Sequence, residues 1–204
     1  MPRMTRTGLM LALSVAVSTS SAWTGPTTSV LVTPMCKTYG CTFLDKVAYG
    51  AGGPQMPKAT TQYIYHLSAL PYRDSVQDYR RDPRNRTVFA ELQVWRAADT
   101  GAIHEVSLSW NADDYSPSVA QGQKAIALLA RTYIKTPDLK KLGFSTPEAL
   151  ARQCYPGAGN LDKRAGSVGI TCSVFQSGDG LPGSNERMGP AVFSFGIFTP
   201  TSIR

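Results

Sequence analysis

Two neighbouring runs with opposite faces constrain the fold of this chain most. In Val88 to Arg96, Val88, Ala90, Leu92 and Val94 alternate with polar Glu91 and Gln93. In Ile103 to Trp110, Val106, Leu108 and Trp110 alternate with Glu105, Ser107 and Ser109. Side chains alternate across a strand, so each run has one apolar face and one polar face. Ala97 to Gly101 (AADTG) joins them with a glycine near its end, as a hairpin loop requires. The pair predicts an antiparallel hairpin with a single buried face, which some other layer must cover.

The covering layer follows directly. Ser116-Pro117 reads as a helix start, and Val119, Ile126, Ala127, Ala130 and Tyr133 recur at helical spacing up to Ile134. The same start chemistry at Thr136-Pro137 opens a short turn ending at Gly143. At Thr146-Pro147, with Glu148 in the first turn, it opens a helix to about Cys154. Further strands are predicted at Thr60 to Leu70, Val168 to Phe175 and Ala191 to Phe198. Strands, a helical block and strands again predict an α+β domain, its antiparallel sheet packed on one long helix and one or two short ones. No βαβ alternation supports a doubly wound fold, and no useful internal repeat is present.

The N-terminus predicts export. Arg3 and Arg6 precede a charge-free run from Gly8 to Val17, and small residues follow from Ser18 to Ala22. That order is a secretory signal peptide cleaved before Trp23. A membrane-spanning helix would need roughly twice as many apolar residues. The expected organisation is a signal peptide over 1–22, a Thr/Pro/Gly-rich segment with a Cys36–Cys41 loop over 23–59, and a globular domain over 60–204. Cleavage removes two arginines and no acid, so the net charge falls from the +7 of the full chain to +5. Such a surplus favours polyanions generally and does not indicate dedicated nucleic-acid binding. The expected location is secreted, periplasmic or on the cell surface of a bacterium, a host inferred from the brief leader and the Arg-, Ala- and Pro-leaning composition.

Four cysteines fit an oxidising compartment. Three pairings are open, and the local one, Cys36 with Cys41 and Cys154 with Cys172, is favoured because near partners meet first. The close C-x-x-C knuckles of a four-cysteine zinc site are absent.

No sequence motif carries catalysis. There is no nucleophile elbow and no Walker spacing in the glycine-rich stretches 156–166 and 177–189, which read as loops. Asp113-Asp114 reads as acids at a helix start and lacks a calcium loop's ladder of oxygens. No cofactor and no metal is expected from these motifs. His66, His104 and Asp113 or Asp114 form the alternative set, for a small secreted hydrolase or metal-binding protein. The leading expectation is a non-catalytic cell-envelope accessory protein that binds a protein, a polysaccharide or an anionic surface. Its expected anionic-partner face is Lys124, Arg131 and Lys135, spaced seven and four apart on the long helix, with Lys140 and Lys141 beyond.

Material collected outside the exporting cell should begin at Trp23. N-terminal sequencing and intact mass check this, and a retained residue 1 on exported protein would refute it.

Overall fold

A computed structural model describes residues 30–51, 59–70, 90–111, 117–156, 160–176 and 191–199. The expected signal peptide, Asp113, Asp114, the arginine-rich stretch near residue 80 and the glycine-rich stretch 177–189 lie outside the described residues.

Seven strands form one antiparallel sheet in the order β1-β2-β3-β4-β7-β6-β5. They are β1 (Cys41–Tyr49), β2 (Thr60–Leu67), β3 (Glu91–Ala97), β4 (Ile103–Asn111), β5 (Leu161–Ala165), β6 (Val168–Gln176) and β7 (Ala191–Phe198). Strands β1 to β4 make one meander and β5 to β7 a second. The seam between them is β4 against β7, where Trp110 pairs with Phe193 and Leu108 with Phe195. The helices α1 (Pro34–Tyr39), α2 (Val119–Tyr133), α3 (Thr136–Lys141) and α4 (Pro147–Cys154) complete the described regular structure, after a short 3-10 turn at Val30–Val32. The α+β expectation therefore holds, and α2, at 15 residues, is the longest of these helices.

The predicted hairpin sits at the centre of the sheet. Leu92 faces Leu108 and Val94 faces Val106, all four fully buried. The helices meet the sheet through side chains on this same face. Trp110 stacks on Phe193 with centroids 4.7 Å apart, and Tyr155, just past α4, meets both rings edge-on at 5.3 and 5.0 Å. Its hydroxyl donates to the Pro117 carbonyl at 2.9 Å, which ties the end of α4 to the start of α2. Cys154 at the end of α4 is bonded to Cys172 on β6, and Cys36 to Cys41 across the turn between α1 and β1. Closing the 18-residue separation between Cys154 and Cys172 stabilises the fold by about 3 kcal/mol, chiefly by restricting the unfolded chain.

Helix starts differ in detail from the sequence pattern. The N-cap of α2 is Ser118, in a capping box with Gln121, so Pro117 precedes the helix instead of opening it. Thr136 lies inside α3, whose N-cap is Lys135 without a side-chain bond. Thr146 does cap α4, accepting from the Ala149 N–H at 3.1 Å. Strand β1 is paired with β2 along its length, and Met35, Cys36 and Tyr39 of α1 are buried in the core. Likewise the glycine-rich stretch 156–166 contains β5, whose Leu161 faces Cys172 and whose Lys163 faces Ile170.

Gly122 marks the tightest approach of α2 to the sheet. A Cβ there would stand 2.6 Å from the Tyr155 ring and 3.2 Å from Trp110. Both rings are buried and hemmed in by Phe193, so neither has room to retreat. Gly122→Val should therefore cost about 2 kcal/mol through overpacking. Urea unfolding checks it: the midpoint should fall with the slope unchanged.

Candidate sheet-face binding site

Because the helices all meet one face of the sheet, the other face is bare of described helices. Its residues come from the half of each strand turned away from the core, strand register assembles them into rows, and Gln62, Ser107 and Phe198 among them are buried. Gln62 pairs with Trp95, Trp95 with Glu105, Glu105 with Phe198 and Phe198 with Gly169. A parallel row runs Ile64, Gln93, Ser107, Gly196, Thr171. In a third, Glu91 is followed by Ser109, Ser194 and Ser173.

These side chains are organised by one another. The Tyr49 hydroxyl donates to Gln62 Oε1 at 3.0 Å, and Gln62 Nε2 donates to Gln93 Oε1 at 2.9 Å. Gln93 Nε2 in turn donates to Glu91 Oε2 at 3.2 Å and to Ser109 Oγ at 3.4 Å. The ladder crosses four strands and fixes both amide planes. Beside it, the Tyr49 and Trp95 rings lie 5.1 Å apart at an interplanar angle of 30°.

Glu105 is the chemically unusual member. Its strand neighbours are aromatic, Trp95 on one side and Phe198 on the other. Its Oε1 lies 3.7 Å from where a Cβ on Gly196 would stand, so the missing side chain at Gly196 makes room for the carboxyl. The same space admits Thr171 Oγ1, at 2.9 Å. Phe198 lies over Gly169, and the Arg164 guanidinium sits 5.3 Å from the Phe198 ring centre on its way to pairing with Asp162. Burial without a compensating cation pushes the Glu105 carboxyl up to about 7. Sequence reasoning passed over Glu105 because a glutamate on the polar face of an alternating strand reads as solvated.

The residues expected to act fall elsewhere. Lys124, Arg131, Lys135, Lys140 and Lys141 are all exposed on the helical side of the molecule. Arg131 is ion-paired with Glu148 of α4, and Lys141 lies 3.9 Å from Asp138, so part of that positive charge is offset locally. His66 and His104 are not brought together. His66 is in register with Glu91 and Ser109, and His104 lies five residues further along β4. That places them about 16 Å apart along the strands and about 10 Å across them. Burial lowers the pKa of both, which disfavours an imidazolium at either position. The His104 ring nitrogens have no hydrogen-bond partner among the described residues. Among those residues no cluster of three metal-ligating side chains occurs, and no helix is long and apolar enough to cross a membrane.

Comparison of the chain with family models, curated proteins and solved structures finds no match.

Glu105 also makes a stability prediction. A carboxyl whose pKa is raised on folding binds its proton more tightly in the native state. Its contribution is complete below the unfolded value of about 4.5 and is lost progressively as pH rises to about 7. Glu105→Gln removes the titration. The variant should match wild type near pH 4 and exceed it at pH 8 by an amount on the order of 2 kcal/mol. Urea midpoints of both proteins across this range check it, and parallel curves would refute it.

Proposed function

We propose that this is an exported, non-catalytic accessory protein of the cell envelope that recognises its partner on the helix-free face of its sheet. The observation that carries this reading is the ladder Tyr49–Gln62–Gln93–Glu91/Ser109 beside the Tyr49–Trp95 pair. Groups held by one another before a ligand arrives lose little freedom when it binds, so preorganisation of this kind favours recognition. Two disulfides support a life outside the reducing cytosol.

The basic helical side has a different part in this reading. Exposed lysines and arginines act over roughly 8–10 Å at ordinary salt, enough to draw the protein to an anionic envelope surface without selecting a ligand. With that side turned to the surface, the helix-free face points away from it.

Two variants separate the roles in a sedimentation assay on isolated envelope material. Gln93→Ala/Trp95→Ala should lose at least tenfold in affinity at moderate salt. Lys124→Glu/Arg131→Glu/Lys135→Glu should lose binding at low salt and match wild type at moderate salt. The opposite pattern would place recognition on the helices, and circular dichroism verifies that both variants are folded.

A further inference from the structure

Strand register sets one row of residues across the sheet from β3 to β5: Trp95, Glu105, Phe198, Gly169 and Arg164. Phe198, the last residue of β7, is in the middle of that row. Its place in the register turns it away from the apolar core, yet it is only 2% exposed. Gly169 explains how. A Cβ there would stand 2.4 Å from the Phe198 ring, so the ring fills the space of the absent side chain. One residue further on, the Thr199 N–H donates to the His104 carbonyl at 2.9 Å and closes the end of the β4–β7 pairing.

The ring stands between an acid and the base of its row. Glu105 makes no hydrogen bond or ion pair among the described residues, and burial alone accounts for its raised pKa. What faces it is Trp95 from β3, Phe198 and Gly196 from β7 and Thr171 from β6, all uncharged. His104, next to it on β4, turns to the opposite face. The charged groups at the far end of the row are Arg164 and Asp162 on β5. Three strand spacings, about 14 Å, separate the backbones at Arg164 and Glu105. The Arg164 guanidinium lies 5.3 Å from the Phe198 ring centre and 3.3 Å from Asp162, with the ring between it and the Glu105 carboxyl.

A protonated Glu105 suits this enclosure, and a carboxylate does not, because an unpaired buried charge costs far more than a neutral acid. Relief is available locally. Phe198 and Thr199 end the strand, and strand ends open at lower free energy than core pairs. Lifting them uncovers Glu105, whereas Phe195 and Phe193 lie further along the seam against Leu108 and Trp110.

We propose that Glu105 is a pH-operated latch: its ionisation unseats Phe198 and opens the end of β7, while the seam from Phe193 to Phe195 stays closed. The closed form binds the proton more tightly, since burial raises the carboxyl from 4.5 to about 7. Closure is therefore strongest below pH 4.5 and is lost progressively as pH rises through 7. Between pH 5.5 and pH 8 the opening equilibrium should grow on the order of 25-fold.

The test is residue-resolved amide hydrogen exchange on the disulfide-bonded protein, expressed as protection relative to an unstructured chain at each pH. From pH 5.5 to pH 8, Thr199 should lose protection on the order of 25-fold in wild type and within about twofold in Glu105→Gln. Low urea separates local opening from unfolding. It should speed exchange at Phe193 and leave Thr199 unchanged, because a local opening exposes little surface. Thr199 protection that does not fall with pH overturns the proposal, as does an equal fall in Glu105→Gln. So does a urea response at Thr199 matching that of Phe193, or a Glu105 carboxyl that titrates near 4.5 by carbon-13 NMR.

Discussion

The seam between β4 and β7 is the constraint on which the rest of the molecule depends. It joins two meanders that would otherwise be separate small sheets, and it does so through Trp110, Leu108 and Val106 against Phe193, Phe195 and Ile197. All six are buried. Burying a large apolar side chain contributes about 1.5–3 kcal/mol, so this seam supplies much of the stabilisation that offsets ordering the chain. It also dictates where the helices go. The chain leaves β4 at the centre of the sheet and must reach β5 at the far edge, and α2, α3 and α4 make that crossing over the aromatic cluster. The Cys154–Cys172 bond then holds the end of the crossing to β6.

One face carries the apolar core of the sheet, and the second holds the other half of each strand, with Gln62, Ser107 and Phe198 buried on it. A sheet covered on both sides would need near-continuous apolar strands. Here alternation persists through the central strands, and the polar side chains bond to one another across strands. Their order depends on the strand register, and the register is set by the apolar contacts on the reverse. A one-residue slip of β4 against β7 would turn Glu105, Ser107 and Ser109 toward the apolar core and Val106 and Leu108 away from it. The candidate site is thus held in place by the core behind it.

This division explains what the sequence made legible. The hairpin β3–β4, the strands β2, β6 and β7, and the helices α2 and α4 each carry a strong local period, and their α+β arrangement follows from it. Three elements lack such a signal. Strand β1 is an edge strand with a register shift between Phe43 and Asp45, so its apolar residues do not alternate cleanly. Strand β5 has five residues between glycines, two of them apolar at positions that only the partner β6 makes inward. Helix α1 spans six residues, too few for a period to show. The start of α2 was misplaced by two positions because both Ser116 and Ser118 can cap a helix, and Gln121 at the third position favours Ser118.

The candidate site was hidden for a different reason. Trp95, Glu105 and Phe198 are adjacent only because β4 lies between β3 and β7, and Phe198 belongs to the last strand of the chain. Glu105 is unusual through its neighbours, and those neighbours are distant in sequence. Gly196 shows the same thing in reverse. In the sequence it interrupts a run of aromatic and branched residues in β7. In the fold it is the position where Thr171 from one side and Glu105 from the other share the space of an absent side chain. Replacing it with alanine would press a methyl group to 2.9 Å from Thr171 Oγ1, forcing a side chain to move. A glycine inside a strand weakens it by losing packing and backbone entropy, so the room it leaves beside Glu105 comes at the expense of the strand that completes the seam.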